Sequence, residues 1–245
     1  MQDNHMEQDF RQKQDEAEFT SCQKEQITED LREAEKVLVG IGGEWRLKED
    51  GRAAVVRRLT DEGQNRMKAA YDVLAQLIGG KDYFVVTTVT DGAVYDTALD
   101  PKRVVAPCGN IHWKQCSKSC VKDIWEEGEI PEGICPHCGA PLTGNTIEAE
   151  NYIEEGYLPQ WEAYKRWQAG TLNKKLVILE LGEGFKTPTV IRWPFEKIAF
   201  FNQKASFYRI HESLYQLPKE IEERAVGIKG DSVSLILSLA EDLRL

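Results

Sequence analysis

The chain has 245 residues, 31 basic and 41 acidic, for a net charge of -10. That length gives room for one large domain or a large one with a small companion, and the acidic balance opposes a phosphate backbone, so no nucleic acid is expected as a partner. The opening residues lack both the apolar core of a secretory signal and the Arg-rich character of a transit peptide, and no segment is apolar for long enough to span a bilayer. A cytoplasmic location without membrane contact is the expectation.

Residues 1–25 are polar and charged and read as a tail or docking segment. Gln26 through Lys36 predicts a short helix feeding the apolar run Val37-Leu38-Val39-Gly40-Ile41, a strand ended by Gly42-Gly43. Thr60 opens a segment in which Met67, Ala70, Tyr71, Leu74, Leu77 and Ile78 recur at helical spacing until Gly79-Gly80 stops it. Tyr83 through Thr88 is aromatic and β-branched without polar alternation, which suits a strand covered on both faces. Val104-Val105-Ala106 predicts a short strand, Tyr157 to Gly170 a helix, and Leu176 to Leu179 a strand stopped by Gly182-Glu183-Gly184. Ile198 to Phe201 reads as a further strand, Phe207 to Ile210 as another, and Ser232 through Leu243 as a closing helix capped from Asp231. Strands alternating with helices argue for an α/β fold with an open, mainly parallel sheet.

Four of the six cysteines are paired. Cys116-Ser-Lys-Ser-Cys120 is followed, after fourteen intervening residues, by Cys135-Pro-His-Cys138. Thiolates are soft ligands, and two short paired loops with a longer closure place four sulfurs at tetrahedral positions, the pattern of a structural zinc site. Gly139 lets the chain turn tightly behind Cys138. Four sulfurs leave no open position, so the metal stabilises a loop region and activates no water. His112 and His137 are near enough in sequence to stand in for one sulfur, and unconnected thiols are the bland alternative.

The order of motifs resembles the sirtuin, or Sir2-like, family. The resemblance rests on Val37-Leu38-Val39-Gly40-Ile41-Gly42, Thr87-Thr88-Val89-Thr90-Asp91-Gly92, Cys108-Gly109-Asn110 ahead of the four cysteines, Leu179-Glu180-Leu181-Gly182-Glu183-Gly184 and Phe201-Asn202. It implies a Rossmann-like large domain over residues 26–107 and 171–245, with a small zinc-containing and helical module over 108–170 inserted in it. It also implies an NAD cleft to which Gly40, Gly42, Thr88, Asp91, Gly182, Gly184 and Asn202 contribute. Family members use NAD to remove acyl groups from lysine or, in some branches, to transfer ADP-ribose, which makes NAD or a related nucleotide and a protein acceptor the implied partners.

The chain also departs from the family pattern. Glu44 and Trp45 stand where phosphates and a mobile loop belong, with Arg46 as a replacement cation. Val89 replaces an asparagine and cannot offer its amide groups. Glu180 and Glu183 bring acid to the late glycine motif. Cys108 occupies the position of the catalytic histidine, and a thiol accepts a proton only as thiolate. The expectation is a nucleotide-binding, zinc-containing Sir2-like protein impaired in lysine deacylation. The alternatives are a deacylase or ADP-ribosyltransferase with a non-histidine site, and a structural or protein-interaction module.

Overall fold

The computed structural model of the protein describes residues 19–47 and 61–243. Thr60 and residues 1–18 of the expected tail lie outside the described residues. Helix α1 (Ser21–Glu33) starts five residues before the helix read from sequence. Its start is set by a reciprocal capping box in which the Thr20 hydroxyl accepts from the Gln23 amide and the Gln23 side chain accepts from the Thr20 amide. Strand β1 (Lys36–Ile41), helix α2 (Asp61–Ile78) and strand β2 (Asp82–Thr87) follow where the apolar periods place them.

Strand β3 (Val104–Val105) leads into a three-stranded antiparallel sheet of β4 (Gly109–Cys116), β5 (Trp125–Glu126) and β6 (Leu142–Thr146), in the order β5-β4-β6. The chain then returns through α3 (Leu158–Ala169), β7 (Leu176–Leu181), α4 (Arg192–Phe201), β8 (Ala205–His211), β9 (Ala225–Lys229) and α5 (Ser232–Leu243). The main sheet is parallel throughout, in the order β3-β2-β1-β7-β8-β9. This is the Rossmann order, with the topological switch point between β1 and β7.

Alternation along the strands divides the core into two layers. Val37, Val39 and Ile41 of β1 face α1, α2 and α5, while Leu38 lies in a second cluster with Phe84, Ile178 and Phe207 against α3 and α4. Helix α3, whose sequence falls within the 108–170 segment, packs Tyr164 and Trp167 against Phe84 of β2 at ring separations of 5.4 and 5.8 Å.

Ile198 to Phe201 is not a strand. These residues form the last turn of α4, which buries Phe195, Ile198 and Ala199 at helical spacing while Phe200 and Phe201 are exposed. A four-residue apolar run has no decisive period of its own, and the need for a covering helix between two parallel strands settles it.

Candidate functional site

The four cysteines converge. Cys116 and Cys120 come from the end of β4 and the turn after it, and Cys135 and Cys138 from a second turn closed by the Gly139 amide donating to the Cys135 carbonyl at 2.9 Å. Gly139 has φ +71°, the left-handed conformation its position requires. The Cys116 and Cys138 sulfurs are 3.5 Å apart, those of Cys120 and Cys135 3.6 Å, and all four lie within 4.8 Å of one another. A tetrahedron with zinc–sulfur bonds of about 2.3 Å has edges of about 3.8 Å, so the set fits a four-thiolate zinc. Amide donation from Cys120, and then from Lys118, lowers the Cys116 thiol to about 6 despite the opposing effect of burial. His112 and His137 stand apart from the cluster and bond to Glu127 and Asp123 at 2.7 and 3.1 Å.

The second site lies at the carboxyl ends of the parallel strands. A cavity of about 440 Å³ is lined by Gly43, Glu44 and Arg46 after β1, by Gly182 and Gly184 after β7, by His211 and Glu212 at the end of β8, and by Asp231 ahead of α5, with Arg66 and Met67 of α2 closing it. This is the switch point, where open parallel sheets take their ligands. Arg46 is exposed and has no carboxylate partner among the described residues, whereas Arg66 bonds to Asp231 at 2.7 Å.

The glycines read as phosphate contacts divide into two kinds. Gly184 lines the cavity with open space around its Cα. Gly42 is instead enclosed, because a Cβ there would come within 2.2 Å of the Glu183 Cα, so its lack of a side chain lets the turns after β1 and β7 pass each other. Gly40 faces Ile191 and Phe195, and a Cβ on Gly182 would meet the Glu44 side chain at 2.4 Å.

The acids expected to repel phosphate also divide. Glu180 points away from the cavity into the layer under α4, where Arg209 binds it in a bidentate pair at 2.7 and 2.9 Å and Arg192 lies 3.6 Å away. Glu44 turns its carboxylate onto the start of α5, accepting from the Ser232 amide at 3.1 Å, the Ser232 hydroxyl at 2.6 Å and the Glu212 amide at 2.9 Å. Those donors at a helix N-terminus are of the kind an external anion uses, and here a side chain of the protein takes them. Trp45 is buried in the core, bonded to Ser232 and edge-on to Tyr71.

Glu183 is 3% exposed and accepts a 2.6 Å hydrogen bond from the Thr88 hydroxyl, while Arg192 donates to its main-chain carbonyl. Burial raises the Glu183 carboxyl to about 7, opposed by the Thr88 bond. Cys108 is buried with its sulfur 4.0 Å from the Thr187 hydroxyl, and burial pushes this thiol up, Glu183 adding to the rise while Thr187, Lys186 and Arg46 offset it in part. Thr88 and Glu183 are thereby joined beside the turn whose Gly182 and Gly184 line the cavity, and the Glu183 charge bears on the buried Cys108 thiol.

Asp91 spends its carboxylate on the amides of Leu47 and Ala93, each at 3.0 Å, and so pins the loop after β1 to the turn after β2. Asn202 is at the opposite edge of the sheet. It ends α4, donates to the carbonyls of Thr171 and Lys174 just ahead of β7, and is buried there. His211, Glu212, Asp231 and Arg66 were not among the residues read from sequence as cleft residues. Their signal was available in the turn after each parallel strand, but only the known strand order selects those turns from all the others.

No family model matches the chain. A protein ADP-ribosyltransferase of Staphylococcus aureus strain Mu50 is 25% identical over 185 residues, covering 68% of this chain and 59% of that protein. A probable bifunctional ADP-ribose hydrolase/ADP-ribosyltransferase of Fusarium oxysporum f. sp. cubense is 28% identical over 181 residues, covering 62% of this chain and 30% of that protein. The chain thus spans less than two thirds of either relative. Among solved structures, Sir2 with a deacetylated p53 peptide and 3'-O-acetyl ADP ribose superposes with a TM-score of 0.58 at 10% identity, covering 89% of this chain and 97% of that one. No helix of the described residues is long and apolar enough to cross a membrane. The chain has a Sir2-type fold, a Rossmann sheet with a small antiparallel insert that carries a four-cysteine metal-binding cluster.

Proposed function

We propose that the protein binds NAD in the cleft at the carboxyl ends of β1, β7 and β8, and that lysine deacylation by a histidine route is not its activity. The observation that carries this reading is the cavity at the switch point of a 3-2-1-4-5-6 sheet, bordered by glycine turns and supplied with Arg46, a cation with no carboxylate partner among the described residues. Calorimetric titration of zinc-replete protein with NAD is expected to give saturable binding. Arg46→Ala should weaken it by about tenfold or more, the loss of one charge-assisted hydrogen bond. Absence of heat for native protein at millimolar NAD would remove the reading.

ADP-ribosyl transfer is the second reading for the chemistry, supported by the activities named for both relatives. A buried thiol raised above its ordinary value holds its proton at neutral pH and is a poor acceptor for a ribose-hydroxyl proton. Native protein should therefore release negligible deacylated lysine product. Cys108→Ala should leave nicotinamide release within about threefold of native, since a protonated thiol supplies no base. Mass-resolved product analysis of both proteins checks this; deacylation that vanishes in Cys108→Ala would overturn it.

A further inference from the structure

The outer face of α4 carries aromatic side chains that the described residues leave exposed. We propose that this face pairs two copies of the chain about a twofold axis, with the Phe200 ring of each copy seated in a groove beside α4 of the other. The pairing is independent of the NAD reading, because no residue lines both this groove and the switch-point cavity.

Trp193, Lys197, Phe200 and Phe201 stand at helical spacing on the side of α4 opposite the buried Phe195 and Ala199. Trp193 is 53% exposed, Phe200 46% and Phe201 59%, and Leu172 in the turn after α3 is 57% exposed. At about 150 to 250 Å² per aromatic side chain, the three rings alone leave roughly 350 Å² of apolar surface in water. That is the size of patch that marks a contact site on a single chain. It is also nearly half of the about 800 Å² that each partner buries in a stable dimer, and Leu172 with the polar rim supplies the remainder.

A second copy, and not a foreign protein, is the occupant because the face is its own complement. It holds a groove and a knob side by side. The groove, of about 620 Å³, is lined by Leu172, Trp193, Pro194, Ile198 and Phe201, and the knob is Phe200, which stands outside the lining with its ring 5.2 Å from that of Phe201. Charge follows the same division. Lys197 is the one charged residue lining the groove among the described residues, and it is exposed without a carboxylate partner among them. Beside the knob, Arg224 donates to the Ala199 and Phe200 carbonyls at 3.4 and 3.3 Å and so fixes the 3-10 turn Lys219–Arg224 there. That turn exposes Glu220, Glu222 and Glu223 against one exposed lysine, Lys219. A twofold axis between knob and groove exchanges the two, so each Phe200 fills the other copy's groove and each acidic turn approaches the other copy's cationic side.

Sedimentation velocity of full-length, zinc-loaded protein at about 1 to 200 μM tests this. Native protein is expected to pass from monomer to dimer as concentration rises. Phe200→Glu puts an unpaired charge against an apolar groove and should weaken association by about thirtyfold or more. Lys197→Glu alone, and Glu222→Lys with Glu223→Lys, should each weaken it by about fivefold, and the three substitutions together should recover most of the loss, since opposite charges then face each other with their signs exchanged. All four residues are exposed, so zinc content and melting temperature should stay equal across the set and show that each variant folds. Native protein that remains a monomer at every concentration would overturn the proposal and leave the face to a foreign partner. A dimer that Phe200→Glu leaves intact would overturn it as well, and a triple variant weaker than either partial one would overturn the seating of the knob in the groove.

Discussion

One zinc per chain is the expected metal content of protein purified under reducing conditions, and each of Cys116→Ala, Cys120→Ala, Cys135→Ala and Cys138→Ala should lose it. The reason is the scarcity of other support. Besides two of the cysteines, the buried cluster of the insert contains only Trp125 and Ala140, with Val121, Ile130 and Leu142 partly buried around it. Structural zinc contributes an apparent binding free energy of about 10 to 16 kcal/mol in small modules, far more than those few side chains supply. Chelation should therefore open residues 116–146 to protease while the main sheet, with its own two-layer core, stays folded. Native protein with no bound metal and an unchanged cleavage pattern would contradict the assignment.

The second large effect is expected at the ion pair beneath β7. Glu180 is fully buried and Arg209 is 2% exposed, and Arg209 also binds Glu196 of α4 at 2.7 Å and the Gln216 carbonyl at 2.8 Å. Arg209→Met strips the buried carboxylate of its bidentate partner and leaves only Arg192 at 3.6 Å, and breaking a buried pair costs about 3 to 5 kcal/mol. Urea denaturation should show the loss as a lowered midpoint. Replacing both partners, Arg209→Met with Glu180→Leu, should recover part of it, because the buried carboxylate is removed along with its guanidinium while Arg192, 3.6 Å from Glu180, keeps its bonds to the Glu183 and Leu214 carbonyls. A double variant as unstable as Arg209→Met alone would show that the network acts through shape and not through charge compensation.

Much of the fold was legible because its signals are local and strong. The strands holding Val37 to Ile41, Tyr83 to Val86 and Leu176 to Leu179 are buried on both faces, so their apolar runs survive as strands. The cysteine cluster was legible for a different reason, since ligand type and spacing carry the chemistry without any knowledge of the fold. What escaped depended on partners distant in sequence. Strand β9 is a five-residue edge strand interrupted by Gly227, and the antiparallel insert is held by β4 pairing with β5 and β6 over a metal cluster, so neither shows a strong period. The 198–201 run became helix because the sheet needed a cover there.

The cleft was half legible. Glycine after a strand points to a turn, but it does not tell whether the missing side chain admits a ligand, as the open space at Gly184 does, or another backbone, as at Gly42. Acidic residues in a glycine motif look alike in sequence as well. Here Glu180 faces α4, Glu44 binds the start of α5 and Glu183 is buried against Thr88, a separation set by strand alternation and by turns that only the folded chain brings together. Asn202 looked like a cleft residue by its place in the motif order, yet α4 runs antiparallel to the strands and delivers its last residue to the far edge of the sheet.

The most direct measurement is a crystal structure of the zinc-loaded protein grown with NAD. Density for the dinucleotide is expected along the turn at Gly182–Gly184, with a phosphate within reach of Arg46. Nucleotide bound elsewhere on the surface, or no nucleotide in the cavity at saturating NAD, would contradict the central claim that the switch-point cavity is an NAD site.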